Sequence, residues 1–403
     1  MNNIFEILRQ RGFFEQSNNF TELKKILDEK KIIFYTGFDP TADSLTVGHF
    51  IPIMVMSHMQ YAGHTPIFLI GGGTATIGDP TDRTEMRRIM SRDEINNNVE
   101  CFKNQAKNLI NFDKAILLNN FDWLSKLNYL DFISQYGNYF SINRMLTADA
   151  YRTRFERGLS FYELNYMPMQ AYDFLYLNKN YDCVLQIGGN DQWSNILAGV
   201  DLIRRVDKKN VFGLTLKLLT KSDGTKMGKT AGGAIWLDKN KTTPFDFFQY
   251  WRNIDDSDVE NCLKLLTFIE LDKIKDLLIN INEAKEILAF EITKIIHGEK
   301  EAYKSLNIAK TLFSTGNFID QVPSVYLKKS LFNNGLDISD LLLKIKLVSS
   351  KSDARRLISQ GGIKIDSKKI LDIKYIVNLN DFKDDIIIVQ KGKKDFKRIK
   401  VDD

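Results

Sequence analysis

The stretch "NYMPMQAYDFLYL" (residues 165–177) places Tyr166, Gln170 and Asp173 at i, i+4 and i+7. On a helix this spacing gathers a phenol, an amide and a carboxylate into one polar stripe through apolar and aromatic neighbours. The trio suits recognition of a hydroxyl or an ammonium group, and on spacing alone it equally suits a solvated helix face. Tyr35, near the end of an apolar run, offers a second phenolic oxygen. In "TKSDGTKMGKT" (220–230) a Ser-Asp-Gly turn leads to Lys226, Lys229 and Thr230. Two lysines and a threonine on a loop suit charge that develops on a departing phosphate group, and they also suit a solvated hairpin. The loop is not a P-loop, which needs Gly-x-x-x-x-Gly and a following helix: only three residues separate Gly224 from Gly228, and "AGGAIWLD" reads as turn and strand. In "IIFYTGFDPTADSLTVGHF" (32–50) an apolar strand breaks, and Gly48 and His49 open a helix. Such a start lets an anion reach free backbone N–H groups, and it is also what a tight turn with a packed histidine looks like. "GGNDQW" (188–193) and "IGDP" (77–80) set Asp191, Gln192 and Asp79 at strand-to-helix junctions, where an acid accepts from ribose hydroxyls or caps a helix.

The elements that must position these groups follow from the pattern. "KIIFYTGFDP", "TPIFLIGGGTATIGDP" and "YDCVLQIGGNDQW" are apolar runs that end in glycine-bearing polar loops and are flanked by helical periodicity. This is the signature of a parallel sheet whose ligand crevice lies beyond the strand carboxyl ends, so the three loops are expected to converge. From Pro244 to about Asn317, "TTPFDFFQYW", "SDVENCLKLLTFI" and "NEAKEILAFEITKIIHG" are capped and amphipathic, which predicts a helical part. A poorly periodic stretch (317–335) follows, then two short helices and the strand-like "IKI" and "DDIIIVQKG".

Composition narrows the class. Apolar residues are 43% and charged residues 27% of 403, and no apolar run is long enough to cross a bilayer, so no membrane partner is expected. The opening "MNNIFEILRQRGFFEQ" lacks the apolar core of a signal peptide, and the expectation is cytoplasmic. Three cysteines and four histidines fall into no metal-ligand spacing, so neither a disulfide framework nor a metal site is expected. Asp337 to Asp403 holds 16 Lys+Arg against 11 Asp+Glu, which accounts for the whole net charge of +5. A basic module after a neutral body points to a polyanion, nucleic acid before membrane, or to a solubilising tail.

Taken together, the stretches resemble the bacterial-type tyrosyl-tRNA synthetases, which are class I aminoacyl-tRNA synthetases. The resemblance runs nearly end to end, from "LRQRG" through "YTGFDPTADSL", "LIGGGTATIGDPT", "NYMPMQAYDF", "LQIGGNDQW" and "DGTKMGKT" to the basic tail. The tail is similar to a small RNA-binding domain first known from a ribosomal protein. The resemblance implies an α/β fold with a Rossmann-like parallel-sheet catalytic domain over 1–235, a helical anticodon-side domain over 236–330, and a small α+β RNA-binding domain over 337–403.

By the same resemblance the substrates are L-tyrosine, ATP with the Mg2+ it carries, and tRNA(Tyr), and the chain forms a homodimer through the sheet domain, around "LDFISQYGNYFSINRML". "TVGH" stands where the family's His-x-Gly-His signature begins, with Thr46 in place of the first histidine. Thr46, His49, Lys226, Lys229 and Thr230 match the groups around the α-phosphate and leaving pyrophosphate. Tyr35 and Asp173 match the pair that holds the tyrosine hydroxyl. Tyr166, Gln170 and Asp79 match those around its ammonium, and Gln192 one near its carboxylate. Gly37, Asp39, Thr41, Gly48, Gly189 and Asp191 line the ATP site, with Asp191 on the ribose, and Trp193 is expected in the core. The competing readings are a non-catalytic RNA-binding factor on the same scaffold and a tryptophan enzyme. A dinucleotide dehydrogenase is disfavoured because "GGGTATIG" lacks the Gly-x-Gly-x-x-Gly spacing.

Overall fold

The computed structural model describes residues 3–81, 88–107, 109–230, 233–314, 324–333, 335–366, 368–383, 385–392 and 395–402. The chain divides into two compact units, Met1–Met227 with Glu260–Asp276, and Gly228–Val259 with Leu277–Asp403.

In the first unit the apolar runs become strands. β1 (Phe14–Ser17), β2 (Ile33–Phe38), β3 (Thr65–Ile70), β4 (Ile116–Asn119), β5 (Cys183–Gly189) and β6 (Phe212–Leu216) form one sheet in the order β1-β6-β5-β2-β3-β4. Its pairings are parallel except at the β1–β6 edge. The strands that end in the three glycine-bearing loops, β5, β2 and β3, lie side by side. Strand order reverses between β2 and β5, the place where a doubly wound sheet opens a crevice. The helices Val47–Tyr61 and Tyr166–Tyr181 bury Phe50, Met54, Phe174 and Leu177, which explains why the central strands read as continuous apolar runs: such strands are covered on both faces. The second helix stops at Asp182, whose φ of 52° is left-handed and ends the ladder just before β5 begins.

Arg11, at the end of the first helix (Ile4–Arg11), is buried and donates to the carbonyls of Lys264 and Thr267 at 2.9 Å and of Ile269 at 2.7 Å. One guanidinium thereby satisfies carbonyls at and beyond the C-terminus of the helix Asp256–Leu266.

The second unit begins with the short antiparallel pair β7 (Lys229–Thr230) and β8 (Gly233–Ala234). The helices Pro244–Arg252, Ile281–His297 and Glu299–Ser314 pack together, with Phe247, Trp251, Leu288 and Ile292 buried. Then come β9 (Ser324–Lys328), β10 (Leu336–Asp337), β11 (Ile363–Ile365), β12 (Lys368–Ile370), β13 (Ile376–Val377), β14 (Ile386–Lys391) and β15 (Asp395–Asp402). Five of these form a sheet in the order β12-β11-β14-β15-β9, which packs with the helices Ile338–Lys344 and Lys351–Ser359 over a core that includes Leu341, Ile358, Val389 and Ile399. One correction arises here. The resemblance puts residues 324–330 at the end of the helical domain, but β9 pairs in parallel with β15, Ser324 opposite Arg398, and belongs to the terminal sheet. Its partner lies some seventy residues downstream, and local periodicity carries no trace of such a pairing. Lys397 of β15 donates to both oxygens of Asp246 at 2.9 Å, tying this sheet to the helix Pro244–Arg252, which Asp246 also helps cap through Thr243. Among the described residues no helix is long and apolar enough to cross a membrane.

Arg11→Met keeps the aliphatic stem and deletes the donors. It is expected to lower unfolding free energy by about 3 kcal/mol, the scale for losing charge-assisted hydrogen bonds to buried carbonyls, as read from urea denaturation. A loss below about 1 kcal/mol would show that water replaces the guanidinium at no cost.

Candidate active site

The polar stripe is not a solvated face. Asp173 is 2% exposed, and Tyr166 is buried. One Asp173 oxygen accepts from Asn120 Nδ2 at 2.8 Å and the other from Trp123 Nε1 at 2.7 Å. Burial pushes this carboxyl up to about 7 against the lowering effect of those two donors. Tyr35 is buried on β2, its ring 5.4 Å from that of Phe174. Its hydroxyl has no hydrogen-bond partner among the described residues, and its pKa is raised well above the usual phenol value by burial and then by the charge of Asp173. An unpartnered phenol beside a buried carboxylate is an arrangement that a ligand hydroxyl completes. Gln170 Oε1 is a second buried acceptor with no partner among the described residues.

Side chains from the ends of three strands join this pocket in one network. Tyr166 Oη donates to Asp39 Oδ2 at 2.8 Å, Thr74 Oγ1 donates to Asp39 Oδ1 at 2.7 Å, and Asn120 Nδ2 reaches Thr74 Oγ1 at 3.1 Å as well as Asp173. Asp39 follows β2, Thr74 follows β3, and Asn120 follows β4. Gly71 permits this approach, because a Cβ there would lie 2.5 Å from Thr74 Oγ1. Gln192 donates to Asp79 at 2.6 Å, and Asp79 also accepts from the Thr81 amide at 2.9 Å. Asp191 is half-buried on the turn after β5, and Gly37, Thr41 and Gly48 are exposed. A Cβ on Gly189 would lie 2.5 Å from Asp191 Oδ1. Trp193, expected in the core, is only half-buried.

Thr46 caps the helix that His49 opens. The Thr46 backbone N–H donates to His49 Nδ1 at 3.0 Å. Because a backbone amide only donates, Nδ1 is the acceptor and the ring proton resides on Nε2. Burial lowers this imidazole to about 4, so it is a neutral donor at physiological pH. Lys226 is exposed on a hairpin closed by the Lys221 amide on Thr225 O at 2.8 Å and stiffened by Asp223, which accepts from the Thr225 amide at 2.8 Å. The next residue, Met227, is buried with its sulfur 3.6 Å from that of Cys262. The side chains of Lys229 and Thr230 lie outside the described residues. Among the described residues no cluster of three His, Cys, Asp or Glu is placed to hold a metal ion.

Sequence reading misses Thr74, Asn120 and Trp123, the groups that hold the carboxylates. The available signal is "ILLNNFDW" (116–123), a fourth apolar run that ends in polar side chains as the other three do.

Known proteins resemble this chain along nearly its whole length. The family model for tRNA synthetases class I (W and Y) matches residues 27–314, and that for the tyrosine–tRNA ligase SYY-like C-terminal domain matches 315–399. The tyrosine–tRNA ligase of Clostridium kluyveri is 53% identical over 99% of both chains, and that of Acetivibrio thermocellus 53% over 100% of both. Among solved structures, a C-terminally truncated mitochondrial tyrosyl-tRNA synthetase of Aspergillus nidulans superposes with a TM-score of 0.71 at 30% identity, covering 78% of this chain and 95% of that one. A doubly wound sheet with its ligand groups gathered at the strand ends, matched by such a family model, is the catalytic domain of a class I aminoacyl-tRNA synthetase, a class that works with ATP and Mg2+. Within that class the chain belongs to the bacterial-type tyrosyl-tRNA synthetases.

All four histidines are held low by burial, His58 at about 3 and His49, His64 and His297 at about 4. With the histidines held low, the carboxyl raised to near neutrality is that of Asp173. Tyrosine kcat/KM is expected to rise with pH through about 7, as the carboxyl ionises and becomes an acceptor, and then to level off. Trp123→Phe removes a donor to the charged form and should move that rising limb up by about one pH unit. An unmoved midpoint would take the limb away from Asp173.

Proposed function

We propose that this chain activates L-tyrosine with ATP and transfers the tyrosyl group to the 3′ end of tRNA(Tyr). The tyrosine carboxylate attacks the α-phosphorus of Mg-bound ATP in line, forming the tyrosyl-adenylate and expelling pyrophosphate. A ribose hydroxyl at the tRNA 3′ end then attacks the tyrosyl carbonyl, forming the ester and releasing AMP. Neither step needs a covalent enzyme nucleophile, so orientation and charge stabilisation carry the rate.

The observation that carries the reading is the buried Asp173 carboxylate beside the unpartnered Tyr35 hydroxyl. Asp173 accepts from the substrate phenol, and Tyr35 completes its hydrogen bonding. Gln170, with its spare acceptor, Tyr166 and Asp79 receive the ammonium, and Gln192 lies near the carboxylate. Gly37, Asp39, Thr41, Gly48, Gly189 and Asp191 line the ATP site, with Asp191 on the ribose. His49 offers its Nε2 proton to the phosphates. Lys226, Lys229 and Thr230 stabilise the leaving pyrophosphate, and Thr46 acts by fixing the His49 ring. Mg2+ travels with the nucleotide.

In this reading 1–235 is the catalytic part, 236–314 approaches the anticodon side, and the basic terminal part, from β9 onward, holds tRNA. The protein is cytoplasmic and a homodimer. The surface that supports a dimer is apolar and belongs to residues 129–161, where Tyr129, Leu130, Ile142, Phe155 and Phe161 are each more than half exposed. Exposed apolar groups at this density fit an interface better than water.

The direct test is amino-acid-dependent exchange of pyrophosphate into ATP without tRNA, run with tyrosine, phenylalanine and tryptophan separately. Exchange with tyrosine alone is the expected outcome. Exchange with tryptophan would move the chain to the sister specificity, and none from folded protein would leave the non-catalytic scaffold. A chain ending at Ser314, ahead of β9, removes the terminal sheet whole. It should retain adenylation while tRNA charging falls and loses most of its salt dependence. Loss of adenylation as well would show that the catalytic part depends on the terminal sheet.

A further inference from the structure

The turn from Gly71 to Asp79 carries two groups on which the pocket depends. Thr74 links Asp39 to Asn120, and Asp79 receives Gln192. Its near end is held from the sheet, by Asn119 Oδ1 on the Gly72 amide at 3.2 Å and Asn120 Oδ1 on the Gly73 amide at 2.7 Å. Its far end meets a different element: Tyr162 Oη donates to the carbonyl of Thr76. Tyr162 lies on the short helix Phe161–Leu164, whose capping Ser160 and Glu163 are locked by Arg154, bonded to Glu163 at 2.8 and 3.0 Å. The helix is therefore a fixed point from which the hydroxyl reaches. Burial raises the Tyr162 phenol above its usual range, so the group remains a donor throughout neutral pH. None of the roles assigned above uses it.

We infer that the Tyr162 hydroxyl is a positioning group for the tyrosine pocket, holding the far end of the 71–79 turn and with it the aim of Asp79. The inference rests on the reading of this site as tyrosine-activating. The turn has bonds of its own, from the Ile77 and Gly78 amides to Thr74 O at 3.0 and 2.9 Å, so losing the hydroxyl shifts the turn without unfolding it. The same helix carries Phe161, 68% exposed, and Tyr162 lines an apolar cleft with Ile77, Phe132 and Met169.

Tyr162→Phe keeps the ring and removes only the donor. In full-length protein, pyrophosphate exchange titrated with tyrosine should show KM raised about fivefold, the scale of one ordinary hydrogen bond. The ATP KM and kcat should stay within about twofold of the parent, as for a change that leaves the fold intact, with sedimentation and thermal midpoint unchanged. An unaltered tyrosine KM, or equal rises in both KM values, would overturn the role. Absence of tyrosine-dependent exchange in the parent protein would instead overturn the underlying functional reading and the inference with it.

Discussion

The structure turns on a carboxylate kept where carboxylates are costly. Asp173 is almost fully buried among Tyr35, Phe174 and Trp123, and burial raises its pKa to about 7. It stays ionisable there because Asn120 and Trp123 each donate to one oxygen. Those donors stand at the end of β4, two strands away from β2, so the charge is tolerable only while the sheet keeps its order. The same dependence makes the pocket selective. In the proposed assignment a substrate hydroxyl supplies the pairing that the Tyr35 hydroxyl lacks, whereas an analogue without it leaves that buried phenol unmatched, the costly side of hydrogen-bond energetics.

The phosphate side is built on the opposite principle. His49 is neutral and its Nδ1 is already occupied by the Thr46 amide, which leaves one directed proton and no charge. Thr46, standing where the family's signature has histidine, adds no charge of its own. In the proposed assignment, positive charge for a departing pyrophosphate comes from the lysine loop. There Lys226 is exposed while the neighbouring Met227 is buried, so the cation stands beside a fixed anchor. Sidedness of this kind fits a loop that engages phosphate transiently, since a permanently buried lysine would lose its charge to desolvation.

Much of this was legible in the sequence because the signals were local. Apolar runs ending in glycine-bearing loops become β5, β2 and β3, adjacent and parallel, and the i, i+4, i+7 stripe falls on one helix. What stayed hidden depends on contacts between distant residues. Asn120 and Trp123 lie about fifty positions from Asp173, in a segment whose own spacing singles out no chemistry. The pairing of β9 with β15 is equally remote. Spacing did suggest that Asp79 either caps a helix or faces a ligand. Its bond to Gln192, from across the sheet, is visible only in three dimensions.

That network also decides how separate the two substrate sites can be. Asp39, matched by resemblance to the ATP site, accepts from Tyr166, matched to the amino-acid site, and through Thr74 and Asn120 it is linked to Asp173. In-line attack of a carboxylate on phosphorus requires both reactants to be held in one frame, where a displacement of about 1 Å costs orders of magnitude in rate. Two independent pockets, each rigid, would leave their relative placement to the tolerance of the backbone between them. Under the proposed assignment, sharing Asp39 removes that freedom, because the residue that would border one substrate is hydrogen-bonded to a residue that would border the other. The sheet meets this geometric demand by bringing the ends of β2, β3 and β4 close enough for three short side chains to join them.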